Sequence, residues 1–277
     1  MRIDAHQHFW HYEPAEFGWI TDPILARDFA PADLFALLKL AGLDGCIAVQ
    51  ARTIREETDF LLGCADRFDI IKAVTGWVDL LQPDVAARLA RWDGRHKLRG
   101  IRHVLQAEPD VAAILTNEIF LANIATLQSR RLIYELLITQ TQFTGVAAFC
   151  AAMDSEFLVL DHLGKPKVGQ SDDHGLAVWR ADLKALGALP HVACKLSGLV
   201  TEADGAVTPD DFTPYLDAAL EAFGPDRIMF GSDWPVCTRA ASYADVCGLI
   251  ENWSEKLTDT EQAALWGGNA ARIYRIS

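Results

Sequence analysis

The 277-residue sequence contains no apolar run near the roughly 20 residues that a membrane-spanning helix needs, which argues against such a span. It has no Gly-x-Ser-x-Gly, so the strained elbow that presents a serine nucleophile is missing. No glycine-rich phosphate loop follows the first strand candidate, where a doubly wound dinucleotide-binding sheet would usually carry one. Cysteine is modest at six residues (Cys46, Cys64, Cys150, Cys194, Cys237, Cys247) and never spaced as C-x-x-C. Most lie in apolar stretches, so reduced thiols packed in a core are expected. Basic residues are outnumbered, 25 Lys and Arg against 38 Asp and Glu. The resulting net charge of -13 disfavours nucleic-acid and anionic-membrane partners, which an acidic surface repels. The first residues lack a basic region followed by an apolar core, so no secretory signal is expected and a cytoplasmic location is. No low-complexity linker, composition break or short-period repeat divides the chain. One domain over 1–277 is the expectation.

Hydrophobic residues make up 51% of the chain, ample for a large core. Short β-branched runs alternate with amphipathic stretches. Eight windows read as strands: 2–10, 45–51, 70–78, 98–106, 132–138, 157–164, 192–198 and 227–235. Between them, apolar residues recur three and four apart, the helical spacing. The segment "PADLFALLKLAG" starts at Pro31 and stops at Gly42, both suitable punctuation. A terminal helix is expected over "TDTEQAALWGGNAARIYRI". Eight alternations of this kind predict parallel strands that close into a (β/α)8 TIM barrel, for which ~250 residues is usual. The stretch from Trp10 to about Ala30 is long for a strand-to-helix connection and reads as a functional loop over the barrel mouth.

The chain opens with "IDAHQHFW". Residues two apart share a face of an extended strand, so Asp4, His6 and His8 would line one side. Such a row begins a metal site, or it is a polar edge strand. In a barrel of this type, catalytic groups come from the C-terminal strand ends. Those ends offer His6 and His8, Gln50 and Arg52, Trp77 and Asp79, Arg102 and His103, then Tyr134 and Glu135. The remaining strands add Asp161, His162 and Lys165, Lys195 and Ser197, and finally Ser232, Asp233 and Trp234. Singly, each has an ordinary reading. Asp233 suits a turn, His162 a structural hydrogen bond, Arg102 an ion pair, Lys165 a loop, and Trp77 or Trp234 a core. Together, His6, His8, His162 and Asp233 make a plausible zinc-type set of imidazoles and a carboxylate with one open position.

The blocks "VQA", "VTGWVDL", "LRGIRHVLQ", "VLDHLGKP", "CKLSGLVTEA", "FGPDRIMFGSDWPV" and "GGNAARIY" extend that opening motif. Together, and essentially end to end, they resemble the amidohydrolase superfamily, specifically its second amidohydrolase family of lactonases. The resemblance implies a distorted (β/α)8 barrel with one divalent metal, zinc being expected, or a site that works without one. Its motifs match His6 and His8, Asp233, His162, and the pair Arg102 and His103. The wider superfamily often supplies a ligand histidine from strand five, and "LIYELLI" has none; the metal-bridging carboxylated lysine is also missing.

The expected activity is hydrolysis of a sugar-acid lactone to its aldonate. His6, His8 and Asp233, with His162 beside or among them, would hold the metal. Asp233 would move the proton, and Arg102 with His103 would stabilise the oxyanion. Gln50, Arg52, Trp77, Lys165 and Trp234 would recognise the sugar. Lactonases of aromatic catabolism and metal-dependent decarboxylases of the same superfamily are the alternatives. The only partner implied is the small-molecule lactone, and self-association is left open.

Overall fold

Eight strands pair in chain order, every neighbouring pair parallel: β1 (Ile3–Gln7), β2 (Gly45–Val49), β3 (Ile71–Gly76), β4 (Leu98–Ile101), β5 (Ile133–Leu136), β6 (Leu158–Leu160), β7 (Val192–Leu196) and β8 (Ile228–Phe230). Parallel neighbours need crossover connections, and helices supply them. These are α1 (Pro31–Leu40), α2 (Glu57–Arg67), α3 (Val85–Ala90), α4 (Val111–Ile114), α5 (Glu118–Ser129), α6 (Val146–Ala152), α7 (Asp173–Gly187), α8 (Pro209–Phe223), α9 (Tyr243–Ser254), α10 (Asp259–Ala263) and α11 (Asn269–Ile273). The computed structural model describes residues 1–169, 173–203 and 208–277. β8 returns to β1 through a single parallel bridge, Gln7 to Trp234, so the barrel closes by a narrow seam.

The expected strand windows all appear, but several are cut short at their C-terminal ends. β4 stops at Ile101 and β8 at Phe230. Beyond those points the backbone leaves the ladder, and the polar residues of the mouth occupy turns.

Two apolar layers result. Inside the barrel, Ile3, Ala5, Ile47, Val49, Ala73, Ile133, Val159, Ala193 and Met229 pack with Ala270, Ile273 and Tyr274 of the C-terminal segment. The outer layer joins the strands' other faces to the helices. The C-terminal segment thus plugs the barrel from below. It does so only because the expected terminal helix breaks after α10, at a kink where Gly267 has φ +156°. A side chain at Gly267 would sit 2.4 Å from the Met1 carbonyl, so close approach to the first strand requires glycine there.

All six cysteines are buried and unbridged, as core packing requires. No helix among the described residues is long and apolar enough to cross a membrane.

Candidate active site

The site begins with an irregularity in β1. Ile3 and Ala5 belong to the barrel interior, so strict alternation would turn His6 away from it. The pairing with β2 shifts register between Asp4 and Gln7, and such a shift re-aims side chains. His6 enters the interior, while Asp4 is held by the seam. Its carboxylate accepts from the Ser232 N–H (2.9 Å), Ser232 Oγ (2.6 Å) and Tyr243 hydroxyl of α9 (3.1 Å). Burial pushes the Asp4 carboxyl up to about 6, against the lowering effect of these donors. The expected common face of Asp4, His6 and His8 therefore fails for Asp4, which fastens β1 to the end of β8.

His6, His8 and His162 each direct Nε2 at one oxygen of Asp233. The distances to Asp233 Oδ1 are 3.3 Å from His8 and 3.9 Å from both His6 and His162. Each ring is anchored at its other nitrogen. His8 Nδ1 lies 2.9 Å from the Val49 carbonyl, and His162 Nδ1 lies 2.8 Å from Ser197 Oγ. His6 Nδ1 lies 3.3 Å from Asp161 Oδ1. The Val49 carbonyl only accepts, so His8 carries a proton on Nδ1 and turns Nε2 to Asp233. Gly198 makes room for the His162 ring. It has φ +69°, and a side chain there would meet His162 Nδ1 at 2.5 Å. Asp233 (φ +59°) and His162 (φ +54°) both sit in the left-handed region, which costs non-glycine residues about 1–3 kcal/mol and is characteristic of functional sites.

Burial holds His6 and His162 neutral, with His6 far below the usual range and His162 down at about 4. Burial alone would raise Asp233, but the His162, His8 and His6 rings outweigh it and keep the carboxyl below its ordinary range. Imidazole nitrogens and a carboxylate thus face one another across a small buried space. His6, His162 and Asp233 donor atoms all lie within 4.8 Å of one another. Zinc–nitrogen bonds of about 2.0–2.1 Å in tetrahedral geometry put ligand atoms ~3.3 Å apart. The arrangement is looser than that, with 3.9 Å from His6 and His162 to Asp233, and the anchored rings have the outer contacts that orient metal-binding histidines. The donor set fits a divalent cation.

Behind this cluster lies a buried polar layer. Arg102 Nη1 bonds Asp161 Oδ2 (2.9 Å) and lies 3.2 Å from His6 Nε2. Its other nitrogens grip Gln50: Nη2 reaches the carbonyl (2.6 Å) and Oε1 (2.7 Å), and Nε reaches Oε1 (3.2 Å). Lys195 bridges Glu135 and Asp161. Burial tends to raise Asp161, yet Lys195, His6 and Arg102 hold it well below the usual carboxylate range.

The remaining sequence candidates are dispersed. His103 is buried beside Glu108 (2.8 Å), with its Nδ1 3.4 Å from the Leu80 N–H, apart from the Asp233 cluster. Arg52 is engaged by Glu57 (2.7 Å) and by Glu16 of the long first loop (2.6 Å), pinning that loop to the end of β2. Trp77 lines a depression of about 100 Å³ with Arg55, Asp84 and Arg88. Lys165 pairs with Glu202 at 3.0 Å. Trp234 is buried against Phe9 and Phe29, the latter from the long loop. That loop is closed by a Trp10–Phe29 bridge and an aromatic cluster of Trp10, Phe17, Trp19 and Phe29.

Asp161, Lys195, Glu135 and Ser197 were visible at strand ends in the sequence, but nothing there assigned them to the site. Their signal was ionisable or hydroxyl side chains inside otherwise apolar strands, a costly choice without partners.

An amidohydrolase family profile matches residues 3–276, and the chain belongs to that family. Among its relatives, an L-fucono-1,5-lactonase from Burkholderia multivorans is 51% identical over 286 aligned residues, covering 100% of this chain and 96% of that protein. A second L-fucono-1,5-lactonase, from Burkholderia ambifaria, is 35% identical over 100% of this chain and 96% of its own length. A crystal structure of an amidohydrolase from Burkholderia multivorans with bound zinc superposes with a TM-score of 0.97 at 50% identity, covering 100% of both chains.

Proposed function

We propose that this barrel is a lactonase that opens L-fucono-1,5-lactone, or a closely related aldono-lactone, to the free aldonate, with one zinc ion at the His6, His8, His162 and Asp233 cluster. One observation carries the reading: three imidazoles and an ionised carboxylate converge on a single buried point at the barrel mouth. Full-length similarity to two L-fucono-1,5-lactonases supports the choice of substrate. Bound zinc in the related crystal structure supports the choice of ion.

A divalent cation held there supplies Lewis acidity, bringing the ionisation of a water molecule to near neutral pH. Asp233, kept unprotonated by the surrounding imidazoles, accepts a proton as water oxygen attacks the lactone carbonyl carbon. The tetrahedral intermediate collapses by breaking the bond from that carbon to the ring oxygen. Asp233 returns its proton to the departing oxygen, which becomes the hydroxyl of the product. The new carboxylic acid ionises, so each turnover releases one proton to solvent. Arg102 is held by Gln50 and Asp161, and its Nη1 is the part directed at the centre, where it donates to the developing oxyanion. Gln50 acts through Arg102. Lys165, Arg52, Trp77, Trp234 and His103 are engaged by other neighbours, and no step is assigned to them. A neutral sugar lactone meets no electrostatic barrier from a chain of net charge -13.

A lactone panel in weak buffer tests this: L-fucono-1,5-lactone, an L-rhamnono-γ-lactone and a dicarboxylate lactone. Acid release is followed before and after chelation, with zinc measured on the same samples. The expected result is fastest acid release from the deoxy-aldono-1,5-lactone, with rate and zinc falling together. Carbon dioxide evolution from an aromatic acid, with no acid release from any lactone, would replace this reading with a decarboxylase.

A further inference from the structure

A cation is already built into the barrel beside the proposed centre. Lys195 of β7 is wholly buried. Its Nζ lies 2.7 Å from Glu135 Oε2, 3.2 Å from Asp161 Oδ1 and 3.2 Å from His6 Nδ1. These partners come from β5, the end of β6, and β1. Their ligand atoms lie within 4.8 Å of one another, as close as those of His6, His162 and Asp233. The two trios share the His6 ring, which turns Nε2 to one and Nδ1 to the other.

Charge counting explains why an ammonium is there. Glu135 and Asp161 are buried carboxylates, and uncompensated burial of either is costly. Lys195 and Arg102 offset them, leaving Asp233 as the carboxylate facing the proposed ion. Glu135 is further fastened by Thr75 Oγ1 (2.6 Å) and the Tyr274 hydroxyl (2.5 Å), so its carboxylate cannot swing away to solvent. Without the lysine, two fixed carboxylate oxygens, joined by His6 Nδ1 once its proton is lost to solvent, would surround the space its ammonium had filled. Those are ligands a divalent ion accepts.

We propose that Lys195 is a positioning residue whose ammonium occupies a latent second cation site, fixing His6 and Asp161 and restricting the barrel to one divalent ion. For the identity of the first ion this rests on the reading above, since the two sites share His6. The test therefore counts a difference. Wild type, Lys195→Ala and Lys195→Met are saturated with zinc and freed of excess, and zinc per chain is measured by mass spectrometry.

Lys195→Ala should carry one zinc more than wild type. Lys195→Met, whose longer side chain still fills the space, should carry no extra ion. Adding Glu135→Gln to Lys195→Ala should abolish the additional ion. Lys195→Ala should also melt below wild type without metal and recover on titration beyond the wild-type stoichiometry. Should it fail to fold, refolding from urea with zinc should rescue it. Equal zinc in wild type and Lys195→Ala, an extra ion that survives Glu135→Gln, or no refolding with zinc would overturn the inference. None of these counts depends on lactone turnover, so failure of the lactonase reading is seen separately in the panel.

Discussion

At the scale of single residues, each imidazole of the proposed centre has one nitrogen occupied elsewhere. Val49, Ser197 and Asp161 lie against the Nδ1 atoms, and the Nε2 atoms face Asp233, that of His6 lying also 3.2 Å from Arg102 Nη1. Removing one such partner should weaken the centre without removing a ligand. Ser197→Ala is expected to lower zinc affinity about 10–100-fold, read by competition with a chromogenic chelator. An unchanged affinity would mean that the Ser197 contact does not orient His162. That His6, His8, His162 and Asp233 would meet was legible in the sequence, because all four fall at strand ends that a closed barrel brings together. The supporting layer was not assigned. A lone Asp161 or Lys195 gains meaning only when its partners arrive from strands far away in sequence, and pattern within one strand cannot show that. His103 illustrates the converse. It sits next to Arg102 in sequence, but just past the end of β4 its ring turns away to Glu108 and the Leu80 N–H.

At the scale of elements, the order of strands and helices was legible, because apolar spacing switches between the two, although several strands end earlier than the spacing suggests. Two departures were not. The register shift in β1 separates Asp4 from His6, and no residue in "IDAHQHFW" announces it. The broken terminal helix depends on how closely Gly267 approaches the first strand, a tertiary fact. The shift gives Asp4 a structural task, fastening the seam where β8 meets β1 through a single bridge. Asp4→Asn keeps the shape but turns an amide donor toward the Ser232 or Tyr243 donors. It should destabilise the fold by about 1–3 kcal/mol, the cost of a mismatched buried hydrogen bond, seen as a lower urea midpoint. An unshifted midpoint would show that the seam does not need the carboxylate.

At the scale of the whole molecule, barrel closure does the assembling. His6 and Asp233 are 227 positions apart, and only a closed ring of strands makes the first and last of them neighbours. The inner apolar layer and the C-terminal plug fill the barrel below, so the polar groups gather at one end. The long aromatic loop is pinned to that mouth through Arg52 and Glu16 and packs on Trp234 through Phe29. The sequence indicated that a loop belonged there, but its use of Arg52 as an anchor depends on Glu16 and Glu57 arriving from either side. The central claim is that Asp233 moves the proton during hydrolysis at this mouth. It is tested most directly by comparing initial rates of acid release from L-fucono-1,5-lactone for wild type and Asp233→Asn, corrected for spontaneous opening. The account predicts a fall of at least about 100-fold with unchanged circular dichroism, in keeping with the loss of a general acid–base group. A variant that keeps a rate within about threefold of wild type would contradict it.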